Sequence, residues 1–252
     1  MRVVRPISAG LLAGVGCAAV LAPSVLGATI PRGPDPAVAK WPHWPYPTSC
    51  EGRSSFDPIS VFNGPTGAEA GPGPAEEGLR RTIQEWQTGY PTLPKHNWRL
   101  LSQEPGVVVY GHGRLPGIEQ LTLEESKGQW DFASYGSGCE PTSIVDGREA
   151  ISWTLSRQPP LRPSTRRIWI DLGPGECAGG ASQNARAMKP VFFELGKRLL
   201  MVMRLKSLPP GGYTCEGIIE PPLRVKLPKP LGNRTLFDGG AYPPTRAVLP
   251  RR

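Results

Sequence analysis

Arg198-Leu199-Leu200-Met201-Val202-Met203-Arg204-Leu205-Lys206 reads as a β-strand. Leu199, Met201, Met203 and Leu205 fall on one face, and Arg198, Leu200, Val202, Arg204 and Lys206 on the other. The same alternation recurs around it. Ile151, Trp153 and Leu155 alternate with Ser152, Thr154 and Ser156, and Ile168, Ile170 and Leu172 alternate with Arg167, Trp169 and Asp171. Farther on, Leu223, Val225 and Leu227 stand opposite Arg224 and Lys226. Pro-Pro and Gly-Gly pairs separate these segments, so residues 141–244 are expected to form a small β-sandwich-like half.

Upstream, one stretch has helical periodicity. Pro74 stands at its start, Glu76 and Glu77 lie in the first turn, and Leu79, Ile83 and Trp86 recur at i, i+4 and i+7. Four strands follow, at Asn97–Ser102, Gly106–His112, Ile118–Glu125 and Gln129–Ser134, with turns at Pro116-Gly117 and Lys127-Gly128. The single apolar stripe predicts a helix packed on this meander. The expected class is α+β, mostly β, with residues 50–140 as a helix-plus-meander half.

The 252 residues include 31 Gly and 31 Pro, a density that excludes helical bundles, coiled coils and multi-span membrane proteins. Seven Trp, six Tyr and six Phe argue against general disorder. The breakers concentrate in a Pro-rich arm over 29–49, in the loop 63–74 and between strands. Disorder is expected only before about Ser49 and after Pro244, with 245–252 as a tail. Trp41-Pro42-His43-Trp44-Pro45-Tyr46-Pro47 has two readings, an exposed polyproline segment or an arm lying against the domain.

Residues 1–28 match a secretory signal. Arg2 and Arg5 precede the apolar Ile7–Ala22 stretch, and small residues surround Gly27 and Ala28. An uncleaved anchor and lipid attachment at Cys17 are the alternatives. Cleavage removes Cys17 and leaves Cys50, Cys139, Cys177 and Cys215, which read as two disulfides in an exported chain. Three pairings exist; Cys50–Cys139 with Cys177–Cys215 keeps each bridge within one half and is the favoured one. No closely spaced cysteine pair argues for zinc.

Charge is asymmetric. Residues 41–140 carry seven Lys/Arg against twelve Asp/Glu, whereas 181–252 carry thirteen against four. On the strand reading, Arg198, Arg204, Lys206, Arg224 and Lys226 are expected to share one solvent-facing surface. Such a surface suits an anionic wall polymer, a membrane surface or a protein partner. The competing reading is a solvated outer face. Nucleic acid is not expected, because no recognition helix, zinc pattern or stacking motif is present.

Catalytic signals are sparse. The three His are His43, His96 and His112. His112, between Gly111 and Gly113 at a strand end, is the best candidate for a minimal hydrolase site, with Asp131 or Asp171 as acid. No nucleophile elbow, phosphate loop or calcium loop appears, and no cofactor is expected. The leading expectation is a non-enzymatic cell-envelope or secreted module.

The C-terminal region carries Tyr213-Thr214-Cys215-Glu216-Gly217, Pro221-Pro222-Leu223-Arg224-Val225-Lys226-Leu227-Pro228, and Pro230-Leu231-Gly232-Asn233-Arg234-Thr235-Leu236-Phe237-Asp238-Gly239-Gly240 before Pro243-Pro244. With Gly136-Ser137-Gly138-Cys139 and Glu176-Cys177-Ala178-Gly179-Gly180, these segments resemble a family of small exported actinobacterial proteins over roughly residues 97–244. Asn233 and Ile218-Ile219 depart from its pattern. The resemblance implies an exported, disulfide-bearing, β-rich fold and no catalytic residue. The tail is expected to seal a sheet edge or to serve as a docking segment.

Overall fold

A computed structural model describes residues 35–50, 55–63, 73–86, 93–156, 159–175, 177–215 and 219–249. The expected signal segment with Cys17 lies outside these residues, as does most of the 63–74 loop. The helices are α1 (Pro36–Lys40), α2 (Pro58–Asn63), α3 (Pro74–Trp86) and α4 (Gln183–Arg186). The strands are β1 (Thr48–Ser49), β2 (Ser55–Phe56), β3 (Arg99–Glu104), β4 (Val107–Gly113), β5 (Ile118–Ser126), β6 (Gln129–Cys139), β7 (Thr142–Val145), β8 (Arg148–Ile151), β9 (Trp153–Leu155), β10 (Arg167–Leu172), β11 (Val191–Leu195), β12 (Arg198–Arg204), β13 (Leu223–Lys226), β14 (Thr235–Asp238) and β15 (Thr245–Arg246). The class is mostly β with a minor helical part, as expected.

The meander forms as its turns dictate. Strands β3 to β6 pair antiparallel in order. Lys127 and Gly128 both take positive φ, at 53° and 79°, the conformation that a two-residue hairpin with matching twist requires. Helix α3 lays Leu79 and Ile83 against Leu121, Leu123 and Trp130. Its approach is close because Gly78 has no side chain: a Cβ there would sit 2.7 Å from the Trp130 Cβ and carbonyl oxygen.

The strand over 198–206 is central, and its two faces meet different partners. β12 pairs antiparallel with β11 along one edge. The other edge is divided between β14, parallel over Arg198–Met201, and β8, antiparallel at Met203 and Arg204. Leu199, Met201 and Met203 face the three-stranded sheet β9-β10-β13 and meet Trp153, Ile168, Ile170 and Val225 in one core. That is the expected sandwich contact. Leu200 and Val202, however, are as buried as the inner face, each 1% exposed.

What covers them is the N-terminal arm, correcting the expectation of disorder for residues 35–49. Trp41, Trp44 and Tyr242 pack with Leu200, and the same cluster reaches Val38, Phe62, Val109 and Ile118. The arm is therefore a layer between the sandwich and the meander. Helix α1 starts on Asp35, whose Oδ1 accepts the Ala37 N–H at 2.8 Å. The Tyr242 hydroxyl donates to the Trp41 carbonyl at 3.1 Å.

The tail also differs from the expectation of disorder. β14 closes an edge of β12, and β15 pairs with β14 through Phe237↔Arg246 and Asp238↔Thr245. Disulfides join Cys50 to Cys139 and Cys177 to Cys215. The first ties the end of the arm to the end of β6. The second joins two exposed loops beside α4 and β13.

Candidate functional site

The five basic residues expected on one surface are dispersed, and the even positions of β12 explain why. Leu200 and Val202 draw the arm onto that face, so Arg198 and Arg204 meet protein rather than solvent. The Arg198 guanidinium lies 4.3 Å from the Trp41 ring centroid and donates to the Lys40 carbonyl at 2.9 Å. Arg204 is 5% exposed and pairs with Asp146, with a longer contact to the Val145 carbonyl. Lys206 is exposed, and its carbonyl accepts Nε of Arg186 at 2.9 Å. Of the five, only Arg224 and Lys226 stay together on one exposed face.

Those two belong to a different exposed face, the outer side of the β9-β10-β13 sheet. In that register Arg167 stands directly opposite Lys226, and Trp169 opposite Arg224. Ile168, Ile170 and Val225 point inward and are buried, so the intervening residues must point out. Trp169 is 41% exposed, and the Arg224 guanidinium sits 5.7 Å from its ring centroid. Like charges directly opposite each other weaken a strand pair. Among the described residues, no carboxylate forms an ion pair with Arg167, Arg224 or Lys226.

The far end of this face is acidic. Asp171 pairs with Thr154 across β9 and lies near Glu220. The Glu220 carboxylate is already committed, accepting from Ser182 Oγ at 3.1 Å, from the Asn184 N–H at 2.8 Å and from the Gln183 N–H. The basic end is thus left with four cationic or aromatic groups facing water.

The residues weighed for catalysis are not brought together. His112 is level with Glu119, whereas Asp131 is level with Glu124 and Val107, five strand positions away or about 17 Å along the sheet. Asp131 is bound by Arg81 at 2.9 Å, and Asp171 is on the other sheet. His112 has Glu119 as its nearest acid instead, with Nδ1 3.3 Å from Oε2 and its ring beside Trp98. The Tyr135 hydroxyl donates to Glu119, and burial together with that carboxylate pushes the hydroxyl pKa up. Glu119 was missed, although it is the hairpin mate of His112 across the Pro116-Gly117 turn.

Asp238 is the most perturbed carboxylate. Its oxygens accept the Gly240 N–H at 2.8 Å and the Trp153 N–H at 2.9 Å, and burial pushes its pKa up to about 7. It holds the turn after β14 against the start of β9, a structural role. Among the described residues, no three of His, Cys, Asp and Glu are clustered for a metal ion, and no helix is long and apolar enough to cross a membrane. No protein-family model, curated protein or solved structure matches the chain.

Proposed function

We propose that the protein is an exported, non-enzymatic module of the cell envelope or secreted space that binds an anionic surface through the outer face of β10 and β13. The observation that carries this reading is the register Arg167↔Lys226 and Trp169↔Arg224 on an exposed face. Two opposed cations with no ion-paired carboxylate among the described residues are held at a cost that an anionic partner would remove. An exposed Trp beside Arg224 adds apolar contact area of the kind that anchors at a membrane interface. Export is supported by the N-terminal Arg-then-apolar pattern and by two disulfides, which persist in oxidising compartments.

Cosedimentation tests this with vesicles of phosphatidylglycerol, vesicles of phosphatidylcholine and purified cell wall. Binding to the anionic vesicles or the wall is expected to fall about tenfold in the Arg167→Glu/Lys226→Glu variant. It is also expected to be lost at about 1 M salt, where the Debye length is about 3 Å. Equal binding to neutral vesicles, or binding unchanged by the charge reversal, would overturn the assignment.

A further inference from the structure

The acidic half of the chain presents charge of the opposite sign in a comparable setting. Glu104 is level with Val107, Val107 with Glu124, and Glu124 with Asp131, so the register sets all four in one row across β3 to β6. Cross-strand partners share a face. Glu104, Glu124 and Asp131 are exposed, and Val107 lies half-buried between the first two. Arg81 pairs with Asp131 at 2.9 Å. Among the described residues, no cation forms an ion pair with Glu104 or Glu124. Glu125 is exposed next to Glu124, so this end stays acidic on balance despite Lys127 in the following turn.

This row is the counterpart of the outer face of β10 and β13. There Arg167, Arg224 and Lys226 surround Trp169, an apolar centre among cations, with Asp171 two positions farther along β10. On the meander, carboxylates flank Val107. The spacings agree as well. Glu104 and Glu124 are two strand spacings apart, about 10 Å, while Arg167 and Arg224 are separated by one strand and two residues, about 8 Å. Both patches sit on paired strands, and each holds like charges side by side at a cost. A contact between the two patches in different copies removes both costs together. The overall charge of +8 makes copies repel at long range, so the attraction is confined to patches that face each other.

We propose that the outer face of β10 and β13 receives the acidic row of a second copy of this chain, with Glu104 and Glu124 meeting Arg167, Arg224 and Lys226. The inference rests on the outer-face reading and names a protein partner for that face. The two patches differ, so the contact is heterologous and either closes into a ring or continues as a chain. An anionic membrane or wall engages the same cations, so surface binding and self-association compete.

Sedimentation equilibrium of the full mature chain over a concentration series tests the inference. At about 0.1 M salt, where the Debye length is about 10 Å, the weight-average mass is expected to rise with concentration to at least twice the monomer value. At about 1 M salt it should remain that of the monomer. Arg167→Glu/Lys226→Glu and Glu104→Lys/Glu124→Lys should each be monomeric alone. An equimolar mixture of the two should associate again, because one variant keeps the native acidic row and the other keeps the native basic face. All four positions are exposed, and circular dichroism confirms the fold of each variant. Glu104→Lys/Glu124→Lys should bind phosphatidylglycerol vesicles at least as well as the parent chain, so the two readings fail separately. A chain that is monomeric throughout the series at about 0.1 M salt, association unchanged by either reversal, or a mixture that stays monomeric would overturn the proposal.

Discussion

The Arg198 guanidinium lies 4.3 Å from the ring centroid of Trp41, so a cation expected to face solvent is covered by an indole 157 positions earlier in the chain. This contact marks where the N-terminal arm closes over β12. Trp41 also meets Phe237 edge-on, with ring centroids 4.9 Å apart. Truncating the ring in Trp41→Ala is expected to cost about 3–5 kcal/mol, the usual range for a fully buried Trp. Arg198→Met should cost about 1 kcal/mol, because the arm remains in place and only the cation–π contact is lost. Urea unfolding of both variants checks the ranking, and equal losses would place the arm outside the cooperative unit.

Arg204 and Asp146 form a half-buried pair, with the guanidinium buried and the carboxylate largely exposed. Asp146→Asn keeps a side chain that tolerates the positive φ of 52° while removing the charge. It is expected to destabilise by about 1–2 kcal/mol, because the buried Arg204 loses its counter-ion. In the Arg204→Met background the same substitution should cost less than about 0.5 kcal/mol. A double-mutant cycle measures the difference.

Gly78 is expected to be intolerant of any side chain. A Cβ placed 2.7 Å from the Trp130 backbone cannot be relieved by a rotamer change, so α3 must lift from β6. Gly78→Ala should destabilise by about 1–3 kcal/mol, although Ala is the better helix former by about 1 kcal/mol. A neutral or stabilising result in thermal unfolding would mean that α3 does not seat as described.

Asp238 makes stability depend on pH with a definite sign. Its pKa in the folded protein is raised to about 7 from the ordinary 3.8. The folded state therefore holds the proton more tightly than the unfolded state. The favourable contribution is complete below about pH 4 and is lost as pH rises through 7. Three units correspond to a contribution on the order of 4 kcal/mol. Asp238→Asn should flatten the fall in urea midpoint between pH 4 and 7, and an unchanged slope would assign the effect elsewhere.

The two disulfides are expected to respond to reductant in order. Cys177 and Cys215 are exposed, whereas Cys50 is 5% exposed, so the 177–215 bridge should open first under mild dithiothreitol. Loops of 89 and 38 residues correspond to about 4–5 and about 4 kcal/mol of unfolded-state restriction respectively. Loss of the Cys50–Cys139 bridge should therefore be the larger drop in melting temperature. Alkylation of free thiols followed by mass spectrometry gives the sequence of events.

Much of the architecture was legible because it rests on local rules. The α3 stripe, the two-residue turn at Lys127-Gly128 and the inner face Leu199–Met201–Met203 are all written in neighbouring residues. The candidate face was half legible. Arg224 and Lys226 were recognised, while Arg167 and Trp169 became relevant only when the register of β10 against β13 set them opposite. His112 and Glu119 followed the same rule, as mates across a hairpin.

Periodicity and turn chemistry by themselves determined a mostly β chain with one helix on a meander and two cysteine pairs. They did not determine what lies over a strand. An alternating pattern assigns side chains to faces, but burial of a face depends on a second segment arriving from elsewhere in the chain. Leu200 and Val202 carried the hint, as apolar residues between two arginines. Only the tertiary structure shows that Trp41, Trp44 and Tyr242 pack on Leu200, that Tyr46 packs against the cluster holding Val202, and that exposed positive charge gathers instead on the outer side of β10 and β13.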